Sequence, residues 1–580
     1  MFKKSKESFC ITPLIIIVFG CFNFSPTDSC CDEANTCSSL QENQRPNIIF
    51  ILADDAGWND FSFHGSPQIP TPNIDAIALN GVILNSYYSS PLCTPSRGTT
   101  LTGKYAIRLG LQHYVITGGT EEGLPLNEKV LPEYLHDLGY ETHLIGKWHL
   151  GHARRAYTPT LRGFDSHFGY YLGAQDYYSH LLREQYGAGY DFRSNLTVNH
   201  DAFGRYNTDL FTEEAIRLIR EKPKDKPLFL MVNHIAPHSS NRYVPLQAPE
   251  ENVKKFEESI ADESRRHYAG LVDKLDESVG LVMKEMAAQK LLDNSIIIFA
   301  SDNGGAPEGY DLNHGSNWPF RGTKNTLWEG GTRLAACIWS PLLRPHVHES
   351  QMHAADWLPT LVEAAEGDTS VLEDMDGFSQ WKSLQGLESP PRNAFLYNID
   401  DVYNSSAVRY GKWKLIQGNT SSSDLGGCPN GSCDGWYGPS GRSQDTGTSN
   451  LQMPDLLPLI LNSDAGSAFR TSGFPINEEI AKKNQKFANV ECKPVQEIAC
   501  NAFQAPCLFN LDEDPCEKRN LAEKEPVVVE FLQEVIQDYN KTALPPIRRW
   551  NNPESAPSNW GYVWTFFKDL QDENVVTAND

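Results

Sequence analysis

Cys93 is the residue whose surroundings point most directly to chemistry. It opens the segment CTPSRGTTLTG, in which Pro95 and Arg97 follow at intervals of two. The segment reads as the start of a helix, where free backbone N–H groups favour a bound anion. Three interpretations of Cys93 are open: a disulfide partner, a thiolate nucleophile activated by a nearby base, or a residue converted to another chemical group.

Four oxygen-bearing side chains follow two apolar segments. Asp54 and Asp55 close RPNIIFILADD, and Asp302 and Asn303 close SIIIFASDN. Carboxylate and amide oxygens suit Ca²⁺ or Mg²⁺, whereas Zn²⁺ prefers imidazole or thiolate ligands. Three carboxylates that converge in an apolar sheet would repel one another without a cation, so the pattern predicts a divalent cation site. The alternative is structural: Asp54 caps the next segment and Asp302 shapes a turn with Gly304.

Basic side chains lie in three further segments. Lys147 and His149 are two residues apart in GKWHLG, and on an extended chain both would face the same way. A cation that holds an anion beside an imidazole that moves a proton is a catalytic combination. His238 in NHIAPH is preferred over His234 because it lies nearer the end of a predicted strand, and Lys324 lies in the aromatic, glycine-rich NWPFRGTKNTLWEGG. Each taken alone is also consistent with a surface lysine or a hydrogen-bonded structural histidine.

Repeated helix–strand units must position these residues. The apolar run after Arg45 predicts a strand buried on both faces, and Thr71 and Pro72 mark the start of a helix. Three more amphipathic helices follow, each leading through a short polar turn into an apolar strand. This alternation predicts an α/β fold, a mostly parallel sheet flanked by helices, with ligands bound at the carboxyl ends of the strands. The polar segments ADD, GKWHLG, APH and SDNGG all stand at such ends.

The composition excludes some classes of partner and indicates the compartment in which the protein is expected. The 580-residue chain has a formal net charge of −24, which argues against nucleic acid as a partner. Three lysines precede an apolar run too short for a comfortable membrane span, which predicts a cleavable signal peptide and no stable membrane span. The protein is therefore expected in the secretory pathway, secreted or lysosomal. A glycoprotein is expected from sequons at Asn195, Asn404, Asn419, Asn430 and Asn540.

Secretion makes the cysteines candidates for disulfide bonds. Of the thirteen, Cys10 and Cys21 would leave with the signal peptide. Setting Cys93 aside leaves an even set of ten, which favours Cys93 as the unpaired residue and makes Cys337 a bridge candidate. The pairings cannot be deduced from the sequence.

The chain is expected to divide into five segments. These are a signal peptide (1–25), a polar, cysteine-bearing lead (26–45), a catalytic domain (46–400), a smaller C-terminal α+β domain (401–545) and a C-terminal tail (546–580). The smaller domain contains a Gly/Ser-rich insertion that Cys428 and Cys433 are expected to tie down by a disulfide bond.

Taken together, the motifs resemble those of the type I sulfatases. CTPSRGTTLTGKY is similar to the C-x-P-S-R…TG signature of that family, and ILADDAGWND, LGYETHLIGKWHLG, RGFDSHFGYYLGAQDYY, FASDNGG, NWPFRGTKNTLWEGG and LFNLDEDPCEKRNLA match it in the same order. The resemblance covers about residues 46–410 and 505–525. It implies an alkaline-phosphatase-like fold and is strongest for the arylsulfatase B branch, the N-acetylgalactosamine-4-sulfatases, and its insect relatives.

The resemblance implies two cofactors. The motif cysteine of the family is oxidised in the endoplasmic reticulum to Cα-formylglycine, so Cys93 would be the substrate of the formylglycine-generating enzyme, with Pro95 and Arg97 in the recognition signal. The aldehyde hydrate would attack sulfur and then release sulfate by elimination. One Ca²⁺ would be bound by Asp54, Asp55, Cys93, Asp302 and Asn303.

It also implies roles for the basic residues. Lys147 and Arg97 would hold the developing negative charge. His238 and Lys324 would protonate or stabilise the leaving oxygen, and His149 would take the proton that drives elimination.

The implied activity is hydrolysis of sulfate esters on sulfated sugars of the N-acetylgalactosamine 4-sulfate type. A small sulfated plant glucoside, such as a glucosinolate, or an aryl sulfate is an alternative substrate. Two other classes stay open. A phosphatase or phosphodiesterase of the same superfamily would carry Ser or Thr in place of Cys93 and bind two zinc ions, and a non-catalytic binder of sulfated glycans would lack Cys93, Lys147, His149 or Lys324.

Overall fold

The computed structural model describes residues 45–372, 374–420, 433–444, 455–547 and 550–579. The expected signal peptide, all but residue 45 of the cysteine-bearing lead, Cys428 and Asn430 lie outside these residues. Within the described ranges, no helix combines the length and apolar character that a membrane crossing requires.

The strands of the described residues fall mainly into a ten-stranded sheet and a four-stranded sheet. In chain order they are β1 (Asn47–Ala53), β2 (Val82–Leu84), β3 (Tyr87–Tyr88), β4 (Glu141–Lys147), β5 (Ser166–Tyr170), β6 (Leu181–Glu184), β7 (Gly187–Tyr190), β8 (Arg193–Ser194), β9 (Thr197–Val198), β10 (Leu228–Asn233), β11 (Ser295–Ser301), β12 (Ala336–Trp339), β13 (His346–His348), β14 (Met352–His353), β15 (Ala394–Asp400), β16 (Ser405–Tyr410), β17 (Trp413–Gly418) and β18 (Cys507–Asn510).

The α-helices of the described residues flank these sheets. In chain order they are α1 (Pro72–Asn80), α2 (Cys93–Thr102), α3 (Leu131–Asp137), α4 (Asn207–Glu221), α5 (Glu250–Lys254), α6 (Glu263–Ala288), α7 (Glu329–Thr332), α8 (Trp357–Ala364), α9 (Trp381–Leu384), α10 (Leu457–Asn462), α11 (Asp464–Thr471), α12 (Glu478–Ala488), α13 (Pro526–Asn540) and α14 (Phe567–Asn579).

The centre of the large sheet is parallel. Its strand order is β13-β2-β12-β11-β1-β10-β4-β5-β8-β9, and β11, β1, β10, β4 and β5 all run in the same direction. Side chains alternate across β1: Ile48 and Phe50 join a core with α2, α3 and α8, whereas Ile49 and Ile51 join a core with α1, α4 and α6. Helices therefore cover both faces, which confirms the predicted α/β class and the buried first strand.

The small sheet, β15-β16-β17-β18, is antiparallel and packs against α13. Helices α10, α11 and α12 follow β17 in the chain but pack on the other layer, against α1 and the long α6. Phe469 of α11 lies 4.7 Å from the ring of Trp339 in β12. Residues 401–545 thus contribute both to the small sheet and to one helical layer of the large sheet.

Among the described residues, the cysteines follow the prediction except at one position. Disulfide bonds join Cys492 to Cys516 and Cys500 to Cys507, and Cys433 is also disulfide-bonded. Cys93 is free, as predicted, but Cys337 is free as well, so its assignment as a bridge candidate is wrong. The physical reason is its place in β12, where its side chain is buried in an apolar core with the side chains of Ile83 and Phe299.

Candidate active site

The predicted site residues converge at the carboxyl edge of the large sheet. Asp54 and Asp55 follow β1, Lys147 ends β4, and Asp302 follows β11. Because β11, β1, β10 and β4 are neighbours and parallel, their ends lie side by side. All ten predicted residues are buried: Asp54, Asp55, Cys93, Arg97, Lys147, His149, His238, Asp302, Asn303 and Lys324.

Cys93 is the first residue of α2, as its sequence predicted. The thiol is free, which excludes the disulfide interpretation within the described residues. Burial raises the pKa of the Cys93 thiol well above its ordinary value; Lys147 opposes this rise and the negative charge of Asp54 adds to it. The thiol is therefore protonated at physiological pH, which disfavours the thiolate interpretation.

One oxygen of each of the three carboxylates, those of Asp54, Asp55 and Asp302, lies close to a basic side chain. The three contacts are Asp54 Oδ2 with Lys147 Nζ at 2.6 Å, Asp55 Oδ2 with Lys324 Nζ at 2.6 Å, and Asp302 Oδ2 with Arg97 Nη2 at 2.8 Å. Arg97 also donates through Nε to the same Asp302 oxygen at 3.0 Å. Paired charges of this kind reduce the cost of burying carboxylates.

Asp54 and Asp302 respond differently to this environment. Burial by itself raises the pKa of Asp54, but Lys147, His238 and Arg97 lower it well below its usual range. Burial and the negative charge of Asp54 raise the pKa of Asp302 to about 7, against the effect of Arg97. The carboxylates therefore repel one another despite their basic partners, and a further cation would relieve that repulsion.

The donor atoms fit a calcium ion. Asp54 Oδ1 and Asn303 Oδ1 are buried and accept no hydrogen bond from the described residues, although Arg97 Nη2 forms an ion pair with Asp54 Oδ1 at 3.4 Å. Ligand atoms of Asp54, Cys93 and Asp302 lie within 4.8 Å of one another, as do those of Asp55, Cys93 and His238. Buried oxygens that accept no hydrogen bond are costly unless something binds them, and a set of carboxylate and amide oxygens matches the preference of Ca²⁺.

His149 is presented by a turn, and the expectation of an extended segment is wrong at this residue. Its φ is +61°, in the left-handed region, so the strand ends at Lys147. Nε2 lies 2.9 Å from the carbonyl oxygen of Ile116, which only accepts, so Nε2 carries the proton. Nδ1 is buried and accepts no hydrogen bond from the described residues. Burial, with the charges of Lys147 and Arg97, lowers the pKa of His149 well below its ordinary value.

His238 and Lys324 lie together on the other side of Asp55. Lys324 Nζ is 3.3 Å from His238 Nε2, and His238 Nδ1 donates to the carbonyl oxygen of Ser239 at 2.6 Å. The preference for His238 over His234 is consistent with this geometry, because His234 Nε2 faces the hydroxyl of Ser278 instead.

Asp311 belongs to the cluster and was not among the predicted residues. Its Oδ2 accepts from Lys324 Nζ at 2.7 Å and lies 3.9 Å from His238 Nε2. It stands in a short 3₁₀ turn, Tyr310–Leu312, thirteen residues before Lys324 and not directly after an apolar strand. The rule that functional acids directly follow predicted strands therefore does not identify Asp311.

Comparisons with known proteins agree with this geometry. The sulfatase family profile matches residues 46–367. Mouse (Mus musculus) arylsulfatase J is 36% identical over 555 residues, covering 92% of this chain and 81% of the mouse protein. The N-acetylgalactosamine-6-sulfatase of Canis lupus familiaris is 32% identical over 64% of this chain and 71% of its own, and human (Homo sapiens) arylsulfatase A is 30% identical over 65% and 76%.

Solved structures share the fold. The crystal structure of Ps i-CgsB superposes with a TM-score of 0.66 at 24% identity, covering 89% of this chain and 97% of that chain. The PsFucS1 sulfatase from Pseudoalteromonas sp. has a TM-score of 0.61 at 21% identity, with 86% and 90% covered. The predicted fold class is confirmed.

The chain belongs to the sulfatase family. It is a sulfuric ester hydrolase, as the resemblance implied. The expected similarity to the arylsulfatase B branch in particular stays a prediction.

Proposed function

We propose that this hydrolase is a Ca²⁺- and formylglycine-dependent sulfatase that acts on sulfated sugars. The observation that carries the proposal is the placement of free Cys93, first residue of α2, among oxygen ligands of which two accept no hydrogen bond from the described residues. Asp54, Asp55, Asp302, Asn303 and position 93 would hold Ca²⁺, which when bound would polarise the sulfate group. Formylglycine at position 93 would supply, through its hydrate, an oxygen nucleophile with a second hydroxyl for release.

The positive charges of Lys147 and Arg97 stabilise negative charge in the buried part of the site. Their ammonium and guanidinium groups contact Asp54 and Asp302 from the side of α2 and β4. Both are buried, so their charges act through a medium of low polarity and need no reorganisation as negative charge develops. Arg97 also donates to the backbone carbonyl of Lys147, which ties the two residues together.

His149 acts as the base in release. Its proton is on Nε2, held by Ile116, so the lone pair of Nδ1 is free to take a proton. The lowered pKa keeps the ring neutral and ready to accept.

His238 and Lys324 act at the leaving oxygen. Lys324 Nζ donates to Asp55 and lies beside His238 Nε2, so a proton held by this pair lies at the edge of the cluster away from Arg97 and Lys147. Delivering that proton to the alcohol oxygen stabilises the leaving group.

Sulfated sugars are the proposed substrates because relatives carry the names N-acetylgalactosamine-6-sulfatase and ulvan-active sulfatase. An N-acetylgalactosamine 4-sulfate is the preferred candidate from the sequence motifs; the 6-sulfate and small sulfated glucosides are the comparisons to include. Secretion, glycosylation and processing by the formylglycine-generating enzyme belong to the same proposal.

Mass spectrometry of the peptide that contains Cys93 tests the proposal directly. Protein from cells that modify other sulfatases should contain the aldehyde or its hydrate at position 93 and should hydrolyse a chromogenic aryl sulfate. Cys337, which is also free and buried, serves as an internal control and should remain a thiol. Cys93→Ala should abolish hydrolysis. An unmodified Cys93 in active protein would contradict the proposal.

A further inference from the structure

Asp311 forms the solvent-facing edge of the catalytic cluster. The exposed fraction of the side chain is 0% for Asp55, 3% for Lys324, 10% for His238 and 23% for Asp311. These residues contact one another in sequence from Asp55 through Lys324 to Asp311. The exposed fraction rises along this series, and Asp311 is its most exposed member.

The loop holds Asp311 in a fixed place. Ser239, which follows His238, donates its hydroxyl to the backbone oxygen of Asp311 at 2.7 Å. Glu308, Asp311 and Leu312 have φ values of 52°, 49° and 57°, a region that residues other than glycine rarely adopt. Surrounding contacts must maintain such a conformation, and they place the carboxylate against Lys324.

We propose that Asp311 is a specificity-determining residue that contacts the alcohol part of the sulfate ester. It favours esters with a hydroxyl or amide N–H next to the sulfate and disfavours esters with a second anionic group there. The inference rests on the proposed function, which places His238 and Lys324 at the leaving oxygen. A substrate group next to the leaving oxygen would then lie next to Asp311.

Simple electrostatics gives the direction of selection. A carboxylate accepts hydrogen bonds and cannot donate them, so it matches hydroxyl and amide N–H groups. A second anion at this position would meet the like charge of Asp311 at short range in a partly desolvated site, where repulsion is strong. Lys324 is shared by Asp55 and Asp311, so its single charge does not fully screen the outer carboxylate.

Three aryl esters test the inference: phenyl sulfate, 2-hydroxyphenyl sulfate and 2-carboxyphenyl sulfate. The measured quantity is kcat/KM for each substituted ester divided by kcat/KM for phenyl sulfate, in wild type and in Asp311→Asn. The substitution should raise the carboxyphenyl ratio about tenfold and lower the hydroxyphenyl ratio severalfold. Asp311→Glu, which keeps the charge, should retain the wild-type order of the three esters.

The ratios of kcat/KM distinguish direct contact between Asp311 and the substrate from a role in positioning Lys324. The fraction of active enzyme cancels in each ratio, so partial misfolding cannot produce the expected change. If Asp311 only positions Lys324, the esters change uniformly or with the basicity of the departing phenolate, so the carboxyphenyl ratio does not rise. That result overturns the inference while leaving the proposed function intact. If wild type with modified Cys93 hydrolyses none of the esters, the proposed function fails instead.

Discussion

At the scale of the residue, the site is a set of buried carboxylates held apart by basic side chains. Lys147 contacts Asp54, whereas Arg97 and Lys324 each contact two carboxylates: Asp302 and Asp54 for Arg97, and Asp55 and Asp311 for Lys324. They lower the cost of burial without satisfying every acceptor, since Asp54 Oδ1 and Asn303 Oδ1 accept no hydrogen bond from the described residues. A buried oxygen that accepts no hydrogen bond costs folding free energy, and a bound cation would interact with both of these oxygens.

Asn303→Ala should therefore weaken Ca²⁺ binding. The change removes an amide oxygen that is buried beside Asp55, whose Oδ1 accepts from Asn303 Nδ2 at 2.7 Å. We expect the Kd for Ca²⁺ to rise by at least roughly tenfold. Calorimetric titration of metal-free protein measures this without reference to activity.

Asn398→Ala is the matched control. Asn398 is also buried with an unpartnered Oδ1 among the described residues, and its amide donates to the carbonyl oxygen of Gln112 at 2.9 Å. It lies in β15 of the small sheet. Its replacement should leave the Kd for Ca²⁺ unchanged, and equal effects of the two substitutions would count against a cation at Asn303.

At the scale of the element, close strand packing positions Lys147. Gly146 precedes it in β4 with φ +88°, and a Cβ at residue 146 would lie 2.0 Å from the backbone oxygen of Asn233 in β10. The Asn233 side chain in turn donates to the backbone oxygen of Lys147 at 2.9 Å. The approach of β4 to β10 and the direction of Lys147 therefore depend on the absence of a side chain at residue 146.

Gly146→Ala should destabilise the protein and reduce activity together. We expect a loss of about 3 kcal/mol or more in the free energy of unfolding, because the new methyl group meets backbone that cannot move independently. Gly139→Ala is the control: Gly139 has φ +86° but nothing within 4 Å of its Cβ position, so only backbone strain of about 1 kcal/mol applies. Thermal melting and aryl sulfate hydrolysis measure the two effects, and equal melting shifts would contradict this account.

At the scale of the whole molecule, a buried ion network joins the small sheet to the segment that leads from Lys324 into α7. Lys414 of β17 donates to Glu329 at 2.9 Å and lies 2.8 Å from Glu517, and Glu517 accepts from the backbone N–H of Glu329 at 2.8 Å. Glu329 begins α7, five residues after Lys324. The C-terminal part of the chain thus supports the segment that presents Lys324.

This network should make stability depend on pH. Burial raises the pKa of Glu517, Lys414 opposes the rise and Glu329 adds to it, which leaves the pKa at about 7 against an ordinary 4.5. Between these values the folded protein binds a proton that the unfolded chain does not, so the contribution of Glu517 is present below pH 4.5 and is lost as pH rises through 7. The pKa of Glu329 is about 2: burial alone would raise it, but Lys414 lowers it, so Glu329 affects stability only at pH values below this window.

Glu517→Gln isolates that contribution because glutamine resembles the protonated side chain at every pH. The melting temperature of wild type relative to this variant should fall between pH 5 and pH 7. Glu513→Gln, at a glutamate whose side chain is 60% exposed, should show no such trend relative to wild type. If the difference in melting temperature between wild type and Glu517→Gln does not change with pH, Glu517 does not cause the pH dependence of stability.

The sequence alone determined the strands, the helix starts and most of the site, because these features depend on local patterns. Apolar runs fixed β1, β4, β10 and β11, and the rule that ligands bind at strand ends placed Asp54, Lys147 and Asp302 at one edge. The motif around Cys93 indicates the family from the sequence alone. These inferences depend only on residues that are close in sequence and on the general rule that ligands bind at the carboxyl ends of parallel strands.

Tertiary structure alone decided the features that depend on distant contacts. The burial of Cys337 in an apolar core, the left-handed turn at His149 and the contact between Asp311 and Lys324 follow from packing between segments far apart in sequence. The parity of the cysteines carried no information on which of them meet, and an acid in a short 3₁₀ turn has no periodic pattern to reveal it. Such contacts are set by how the layers of the fold pack against one another, which residue spacing does not encode.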